Sequence, residues 1–501
     1  MELLTDRYSK KIRGKLSCYD RVVISGTLPR LCFSEGMTSY LYQHQIRIFD
    51  YADWSSQFKD EIRANAEALS SANGIEIEFV RRSSIRKETL VQEVLQNRGD
   101  HPGLVHILSA MESCPSYRPW HDKATGRTFL KGTQGKCLHY YFYFIDEVVG
   151  LCYVRVPTWC PFRLQVYFNG HNWLASKLRA AGIDYQMADN AFLHIGDWEQ
   201  AQQIADQLQV EELHQVLDRF AEIYCPVFRH FGQVYHWSIM QAEYATDIVF
   251  KHQGDLQKIY PHLIETAVHA VKADNISTFL GRKLDPRYND EMGNRYNIRI
   301  EGSRVKHQMG SNAIKMYDKF GQILRIETTT NKVSFFKHYR KVEHRDGTTS
   351  SQYANMKKNI YSLKPLRDCL MASNKRYLEF ISAIEDRTIG TKRLKKITKK
   401  VTDNKRNYKG FNLFDEQDQN LFIALSRGEF NITGFQNRDL RKWLKDKSSS
   451  QLSRILKRLR LHGLIRKVRN SYKYYLTKLG RATISNALKV KELVIVPAYS
   501  Y

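Results

Sequence analysis

The chain has 501 residues, 42% of them hydrophobic and 26% charged, which indicates a soluble globular protein of about two to four domains. It holds no apolar run long enough to span a membrane, and its N-terminus lacks the apolar core of a signal peptide, so we expect a cytoplasmic protein with no membrane partner. Its eight cysteines form no CxxC pair, which argues against a zinc site and against a disulfide framework.

Positive charge is concentrated in the last third of the chain. Residues 331–501 hold 39 Lys and Arg against 14 Asp and Glu, a net charge of +25 out of a total of +26. Such a basic region favours a polyanionic partner, because neutralising phosphates releases counterions. We expect DNA as that partner, and the charge leaves RNA open as well.

Residues 1–200 predict an N-terminal α/β domain of unknown role. Residues 54–71 have the apolar spacing of a helix, residues 74–80 alternate as a strand does, and residues 140–145 and 151–156 predict a hairpin. Several polar residues in this region invite chemistry, and we interpret them mainly as structural. They are His139, Arg155, Arg163, Asn169, His171, Asp189 and Asn190.

Residues 201–232 predict a helical connector, because apolar residues recur there at helical spacing. The central region, residues 233–384, begins with a predicted strand over Ser238–Phe250, followed by a helix over Gly254–Ala273 and then a hairpin. This order is typical of an antiparallel palm that carries a site on one face and helices on the other.

The hairpin consists of two runs with strand character, Ala313–Lys319 and Ile323–Thr330, around a turn at residues 320–322. A two-residue loop would mix apolar and charged residues on both faces. A three-residue loop with its glycine in the left-handed conformation pairs Tyr317 with Arg325 and separates the faces better. The apolar face of this second register holds Ile314, Met316, Leu324 and Ile326.

The polar face of the hairpin would carry a tyrosine, three cations and a carboxylate, namely Tyr317, Lys315, Lys319, Arg325 and Glu327. A phenol can attack phosphorus, cations can neutralise the developing charge, and a metal held by carboxylates can polarise the phosphate. The pattern predicts phosphoryl transfer with Tyr317 as the nucleophile and the three cations assisting. Surface hairpins also carry such residues as ordinary solvated pairs, so this interpretation needs support elsewhere in the chain.

The region over roughly residues 235–345 resembles the Rep_trans-type initiators of rolling-circle replication. These proteins share a Gly-Ser segment, a strand ending in Tyr-acidic-Lys and a strand with Arg-x-Glu, which match residues 302–303, 317–319 and 325–327. They also have an earlier strand with two acidic residues four apart, as Glu243 and Asp247 are here.

The resemblance implies a replication-initiator palm that acts on single-stranded DNA. It also implies a Mg²⁺ or Mn²⁺ ion at the acidic residues Asp247, Glu327 and Glu243. The family usually has Asp at the first acidic position, where this chain has Glu243. Because four strand residues span about 13 Å, Glu243 and Asp247 are not expected to bind one ion together.

The C-terminal region predicts a linker and a helical domain. Residues 385–412 are Lys-rich and lack apolar periodicity, which predicts an exposed linker that can follow phosphates. Residues 413–501 then predict helices over 417–427, 437–444 and 449–462, two short strands and a last helix from Thr477.

The run SQLSRILKRLRLHGLIRKV and the later YKYYLTKLGR resemble the winged helix-turn-helix of MarR-like and ArsR-like DNA-binding proteins. The resemblance implies duplex binding, with base contacts from the third helix and phosphate contacts from the wing. The implied contacts are Gln451, Arg454, Lys457 and Arg458 on the helix and Lys467, Arg469 and Lys473 on the wing. Winged helices also serve as protein-interaction modules, although the charge favours nucleic acid.

Taken together, these patterns predict an α+β multidomain protein and favour a sequence-directed DNA nickase of a mobile element. The winged helix would find a site and the palm would cleave one strand, leaving a 5′ phosphotyrosyl link at Tyr317, as a replication initiator or a transposase would. The alternative is a non-catalytic DNA- or RNA-binding regulator whose palm is only a binding platform. The oligomeric state stays open, a dimer included.

Overall fold

A computed structural model describes residues 3–82, 84–284, 290–299, 302–385, 387–427, 429–430, 434–469, 471–491 and 496. The chain divides into a first unit, Met1–Glu385, and a second unit, Asp386–Tyr501. None of the described helices has both the length and the hydrophobicity needed to cross a membrane.

The first unit combines helices with a long run of strands. Its helices are α1 (Leu4–Arg7), α2 (Ser34–Gln43), α3 (Tyr51–Asn73), α4 (Lys87–Arg98), α5 (Gly170–Ala180), α6 (Trp198–Ala205), α7 (Val210–Tyr224), α8 (Gln253–Ala270), α9 (Ala273–Phe279) and α10 (Leu363–Glu385). Its strands are β1 (Ile12–Thr27), β2 (Ile77–Phe79), β3 (Gly103–Asp122), β4 (Arg127–Asp146), β5 (Gly150–Pro157), β6 (Leu164–Asn169), β7 (Tyr185–Ala188), β8 (Ala191–Ile195), β9 (His236–Phe250), β10 (Met292–Arg299), β11 (Gly302–Met309), β12 (Asn312–Lys319), β13 (Ile323–Thr330), β14 (Lys337–Glu343) and β15 (Thr349–Asn355).

One mixed sheet of 11 strands runs through the first unit in the order β10-β11-β12-β13-β9-β1-β6-β5-β4-β3-β2. β1 pairs antiparallel with β6 on one side and with β9 on the other. The predicted separation of residues 1–200 from a palm at 233–384 is therefore wrong, because β1 satisfies the backbone hydrogen bonds of both regions. Among the described pairs of this sheet only β2 and β3 run parallel, so the N-terminal region is not the α/β domain that was predicted.

The sheet has a back face covered by helices. Leu324 and Ile326 of β13 are fully buried in one apolar cluster with residues of α8 and α10. Ile314 and Met316 of β12 belong to the same cluster. The predicted apolar face of the hairpin is confirmed.

The β12–β13 hairpin has the predicted three-residue loop. Tyr317 lies opposite Arg325, and Lys315 lies opposite Glu327. Gly321 has φ = 69°, the left-handed conformation that this turn requires. Because side chains alternate along a strand, this register places the four polar residues together on the opposite, front face of the sheet.

The second unit has its own elements and its own core. Its helices are α11 (Arg387–Thr398), α12 (Glu416–Leu425), α13 (Asn437–Arg441), α14 (Ser449–Leu461) and α15 (Lys478–Val490), and its strands are β16 (Val401–Asp403), β17 (Arg406–Tyr408), β18 (Ile465–Lys467) and β19 (Tyr474–Leu476). The order from α12 to α15 is the one that the sequence predicts. The predicted linker over 385–412 is wrong, since it holds α11 and the β16–β17 pair, and Ile397 and Phe411 join the core.

Candidate active site on the front face of the sheet

A β-bulge in β1 brings two charged residues to the front face. The pairing of β1 with β9 holds up to Tyr19 and resumes at Val22, which leaves only Glu243 between their partners on β9. Asp20 and Arg21 therefore stand opposite a single residue. Bulges of this kind re-aim side chains and are common beside active sites.

Glu327 holds the candidate nucleophile by a direct hydrogen bond. The Tyr317 hydroxyl donates to Oε2 of Glu327 at 2.6 Å. Nζ of Lys315 lies 2.5 Å from Oε1 of Glu327 and 3.1 Å from Oε1 of Glu243. The structure thus brings four of the predicted site residues into one contact network.

Two carboxylates of this network, together with Asp20 from the bulge, are close enough to act on one cation. One oxygen each of Asp20, Glu243 and Glu327 lies within 4.8 Å of the other two. Mg²⁺ takes oxygen ligands at about 2.0–2.1 Å, so small side-chain rotations would bring all three into its range. Carboxylate oxygens are the ligands that Mg²⁺ and Mn²⁺ prefer, and Lys315 already shows that the cluster accommodates positive charge.

Asp247 is placed differently from the other predicted metal ligands. Its two oxygens accept hydrogen bonds from Nε and Nη2 of Arg325, at 2.6 and 2.7 Å. Arg325 was predicted to be one of three cations that assist Tyr317, but it is fully buried and paired with carboxylates, so it is not placed to contact the phosphate. We assign both residues to a buried ion pair that joins β9 to β13, where they lie directly opposite each other.

Residues from the first 200 positions complete the network. Asn169 and Asn190 donate hydrogen bonds to Asp20 at 2.9 and 2.6 Å. Nδ1 of His171 lies 3.2 Å from Asp20, and its Nε2 lies 3.5 Å from Asp247. Three polar residues that the sequence left as structural therefore surround a carboxylate of the candidate site.

Lys319 is tied to the same region. Its Nζ lies 2.8 Å from Oδ2 of Asp189 and contacts the side chain of Asn190.

Asp20 and Arg21 were not among the residues predicted from the sequence. The signal that could have found them is a charged pair inside the otherwise apolar stretch from Leu16 to Ile24.

The electrostatics of the cluster favour a protonated tyrosine and an added cation. Burial, together with the negative charge of Glu327, raises the pKa of Tyr317 well above its ordinary value. Burial and then Glu327 also raise the pKa of Glu243. Burial alone would lower the pKa of Lys315, but the attraction of Glu327 and Glu243 raises it. The ammonium therefore stays charged, and the tyrosine needs a proton acceptor before it can attack.

The network opens into a cavity of about 330 Å³. Its walls include the three carboxylates, the tyrosine and two lysines, which are Asp20, Glu243, Glu327, Tyr317, Lys315 and Lys319. Gly302 and Ser303, the Gly-Ser segment noted in the sequence, also line it. The described part of the chain thus gathers the predicted motifs around one space that a phosphate group could enter.

The second unit places most of its predicted contact residues on its surface. Arg454 on α14 and Lys467 and Arg469 near the wing are exposed, while Lys473 is half-buried. Gln451 is exposed but its Oε1 accepts a 2.7 Å hydrogen bond from the backbone N–H of Ser448, closing the N-terminus of α14.

Two further residues of α14 depart from the prediction to different degrees. Lys457 is half-buried and pairs with Asp403 at 2.9 Å. The prediction that Arg458 faces the major groove is wrong, because its guanidinium is buried and binds both oxygens of Asp418 at 2.8 and 2.9 Å. Arg460, which was not among the predicted contact residues, is exposed on α14 instead.

The chain matches no protein-family model, no curated protein and no solved structure. Its function is therefore inferred from the geometry and chemistry of its own residues.

Proposed function

We propose that the front-face site nicks single-stranded DNA through a covalent bond between Tyr317 and the 5′ phosphate. The observation that carries this proposal is the 2.6 Å hydrogen bond from the Tyr317 hydroxyl to Glu327, inside a cavity that Asp20 and Glu243 also line. A surface hairpin has no structural need for a half-buried tyrosine beside three acidic side chains, because burying charge is costly.

In this reaction Glu327 acts as the general base. It takes the phenolic proton while Oη of Tyr317 forms a bond to phosphorus and the bond from phosphorus to the 3′ oxygen breaks. The 3′ oxygen leaves and takes a proton from solvent water to become a hydroxyl, while Glu327 keeps the phenolic proton. Lys315, 2.5 Å from Glu327, and Lys319 on the cavity wall offset the negative charge that develops on the phosphate.

Asp20, Glu243 and Glu327 are the residues that would hold a divalent cation. Such an ion polarises the phosphate and stabilises the charge on its oxygens. Asn169 and Asn190 fix the orientation of Asp20 through its Oδ1, while its Oδ2 accepts one longer hydrogen bond, of 3.4 Å, from Nη1 of Arg325. The fold thus supplies one of the three carboxylates already oriented.

The second unit would direct the site to duplex DNA as a winged helix. Its exposed Arg454, Arg460, Lys467 and Arg469 suit contacts to bases and phosphates. A 5′ phosphotyrosyl link and a free 3′ hydroxyl are products that serve either rolling-circle replication or transposition. The resemblance to Rep_trans-type initiators favours replication initiation by a mobile element.

A covalent-adduct assay tests the proposal. The full chain is incubated with labelled single-stranded DNA or supercoiled plasmid and Mg²⁺ or Mn²⁺, and an adduct that survives denaturation is sought on a gel. We expect Tyr317→Phe to abolish the adduct while leaving DNA affinity unchanged, because it removes only the attacking hydroxyl.

Tyr339→Phe is the matched control, since Tyr339 is an exposed tyrosine of the same unit. Tyr244 is excluded as a substitute nucleophile, because it is buried on the opposite face and donates a hydrogen bond to the Ser17 carbonyl. If no metal supports an adduct on any of these substrates, the protein is the DNA- or RNA-binding regulator instead.

A further inference from the structure

A second cavity, of about 180 Å³, opens on the sheet in the N-terminal region. Its walls include two arginines, a histidine, a tryptophan, a serine and a methionine, which are Arg155, Arg163, His139, Trp159, Ser25 and Met240. The reaction proposed for Tyr317 uses none of them. Three of these residues were noted in the sequence as polar candidates without a role.

This cavity lies on the same face of the sheet as the candidate active site. Ser25 and Arg21 are both on β1 and four residues apart, so their side chains point the same way about 13 Å from each other. Arg21 lines the active-site cavity and Ser25 lines the second one. Gln165 lies opposite both Ser25 on β1 and Arg155 on β5, which extends the front face to the second cavity.

The surface between the two cavities is aromatic and basic. The guanidinium of Arg21 lies over the ring of Tyr167, 5.2 Å from its centre. Tyr167 sits opposite Val23, midway along β1 between Arg21 and Ser25. Aromatic and arginine side chains together suit the binding of single-stranded nucleic acid, because bases stack on the rings and the cations contact the phosphates.

The second cavity contains polar atoms that lack partners in the described residues. Oγ of Ser25, a residue only 4% exposed, is buried and makes no hydrogen bond. Nε of Arg155 is also buried without a hydrogen bond, although its Nη2 binds Glu112 at 2.8 Å. A buried polar group without a partner costs free energy, so a ligand that enters the cavity and reaches these atoms would be stabilised by hydrogen bonds to them.

The chemistry of the lining selects a nucleotide. Burial, and then the charge of Arg155, lower the pKa of His139 to about 4, so its ring is neutral at neutral pH. Nδ1 of His139 donates to the carbonyl of Cys137, which leaves Nε2 as an acceptor for a base amino group. Trp159 offers a ring for stacking, and Arg163 is an exposed cation suited to a phosphate.

We infer that this cavity is a nucleotide subsite for the single strand that Tyr317 cuts, binding one base and its phosphate. Along β1 it lies about 13 Å from Arg21, which lines the active-site cavity. The inference rests on the proposed function, because it identifies the strand in the subsite with the substrate of the active site. It assigns the N-terminal region a role in holding the strand.

Photo-crosslinking of a homopolymer tests the subsite directly. The full-length Tyr317→Phe variant is mixed with oligo-dT that carries 5-bromouracil, without divalent metal and with excess unlabelled duplex to occupy the second unit. Irradiation should link the oligonucleotide to peptides that contain Trp159, His139 or Met240, as read by mass spectrometry. Crosslinks confined to other peptides would overturn the inference.

Binding of fluorescent oligo-dT gives the second measurement. Arg163→Ala should weaken binding by about fivefold or more, since it removes a phosphate contact at a stacking site. Arg47→Ala is the matched control, an exposed arginine next to Ile48 of the back-face core, and it should bind as the parent does. Equal affinity of Arg163→Ala and the parent would also overturn the subsite.

The two proposals fail separately in these experiments. A crosslink at Trp159 without any adduct from the wild-type protein would leave the subsite standing and remove the nicking reaction. An adduct at Tyr317 without the crosslink or the effect of Arg163 would do the reverse.

Discussion

Among single residues, Asp247 and Arg325 decide how the candidate active site is held together. Their side chains are 3% and 0% exposed, and removing one partner of such a pair leaves a buried charge without compensation. We expect Asp247→Asn to lower the free energy of unfolding by about 3–5 kcal/mol in a urea titration. In a calorimetric titration it should weaken Mn²⁺ binding less than Glu327→Gln does, because Glu327 and not Asp247 belongs to the carboxylate cluster.

The pH dependence of stability provides a control for the Asp247→Asn variant. Burial alone would raise the pKa of Asp247, but Arg325 and the hydrogen bond from His171 lower it to about 2. A carboxylate whose folded pKa is lowered stabilises the protein above its unfolded pKa, and this contribution is lost as pH falls toward the folded value. The wild-type protein should therefore lose stability between about pH 4 and pH 2, and Asp247→Asn should flatten that part of the profile. If Asp247→Asn keeps its stability but loses Mn²⁺ binding completely, Asp247 is a metal ligand and the assignment to a structural ion pair is wrong.

At the level of elements, helix α14 contains two arginines one turn apart with opposite roles. Arg454 is exposed, whereas Arg458 is buried against Asp418. We expect Arg458→Ala to lower the free energy of unfolding of the second unit by about 3 kcal/mol. Arg454→Ala should leave folding unchanged and reduce the preference for a selected duplex over a random one by about 1–3 kcal/mol.

Lys473→Ala completes this comparison. Lys473 lies near the wing, where the loss of a phosphate contact would weaken binding to selected and random duplexes alike. Thermal unfolding and fluorescence anisotropy separate the three variants. Identical losses on both duplexes for Arg454→Ala and Lys473→Ala would contradict the proposed docking of α14 in the major groove.

Local elements of the site could be predicted from the sequence, whereas contacts between distant elements could not. The β12–β13 hairpin was predictable to its register, because its turn and its alternating side chains are local signals that agree. Asp20 was not predictable as a neighbour of Glu243, since their proximity depends on β1 pairing with a strand more than 200 residues later. Arg325 and Arg458 were misjudged for a related reason: a cation pattern gives no sign that a carboxylate from another element will bury it.

At the level of the whole molecule, charge separates the two units. Residues 386–501 hold 28 Lys and Arg against 9 Asp and Glu, and they have a core of their own. We expect this unit alone to bind duplex DNA, with affinity falling at least about tenfold between about 50 and 200 mM salt, because each phosphate contact releases a counterion. Residues 1–385, with 50 cations against 43 anions, serve as the comparison. Their affinity for duplex DNA should depend less on salt concentration. Binding by the second unit that does not change over this salt range would contradict the prediction.

The bulge at Asp20 ties the chemistry to the order in which a ribosome makes the chain. The three carboxylates come from residues 20, 243 and 327, so the first of them must wait in a strand that can pair with β6 but still lacks its other neighbour, β9. Synthesis proceeds at about 5–20 residues per second, and pairings between distant segments form late because closing a long loop is slow. A nascent or prematurely terminated chain would therefore lack the complete carboxylate cluster, and the proposed nicking would begin only once the segment that carries Glu327 has emerged and docked.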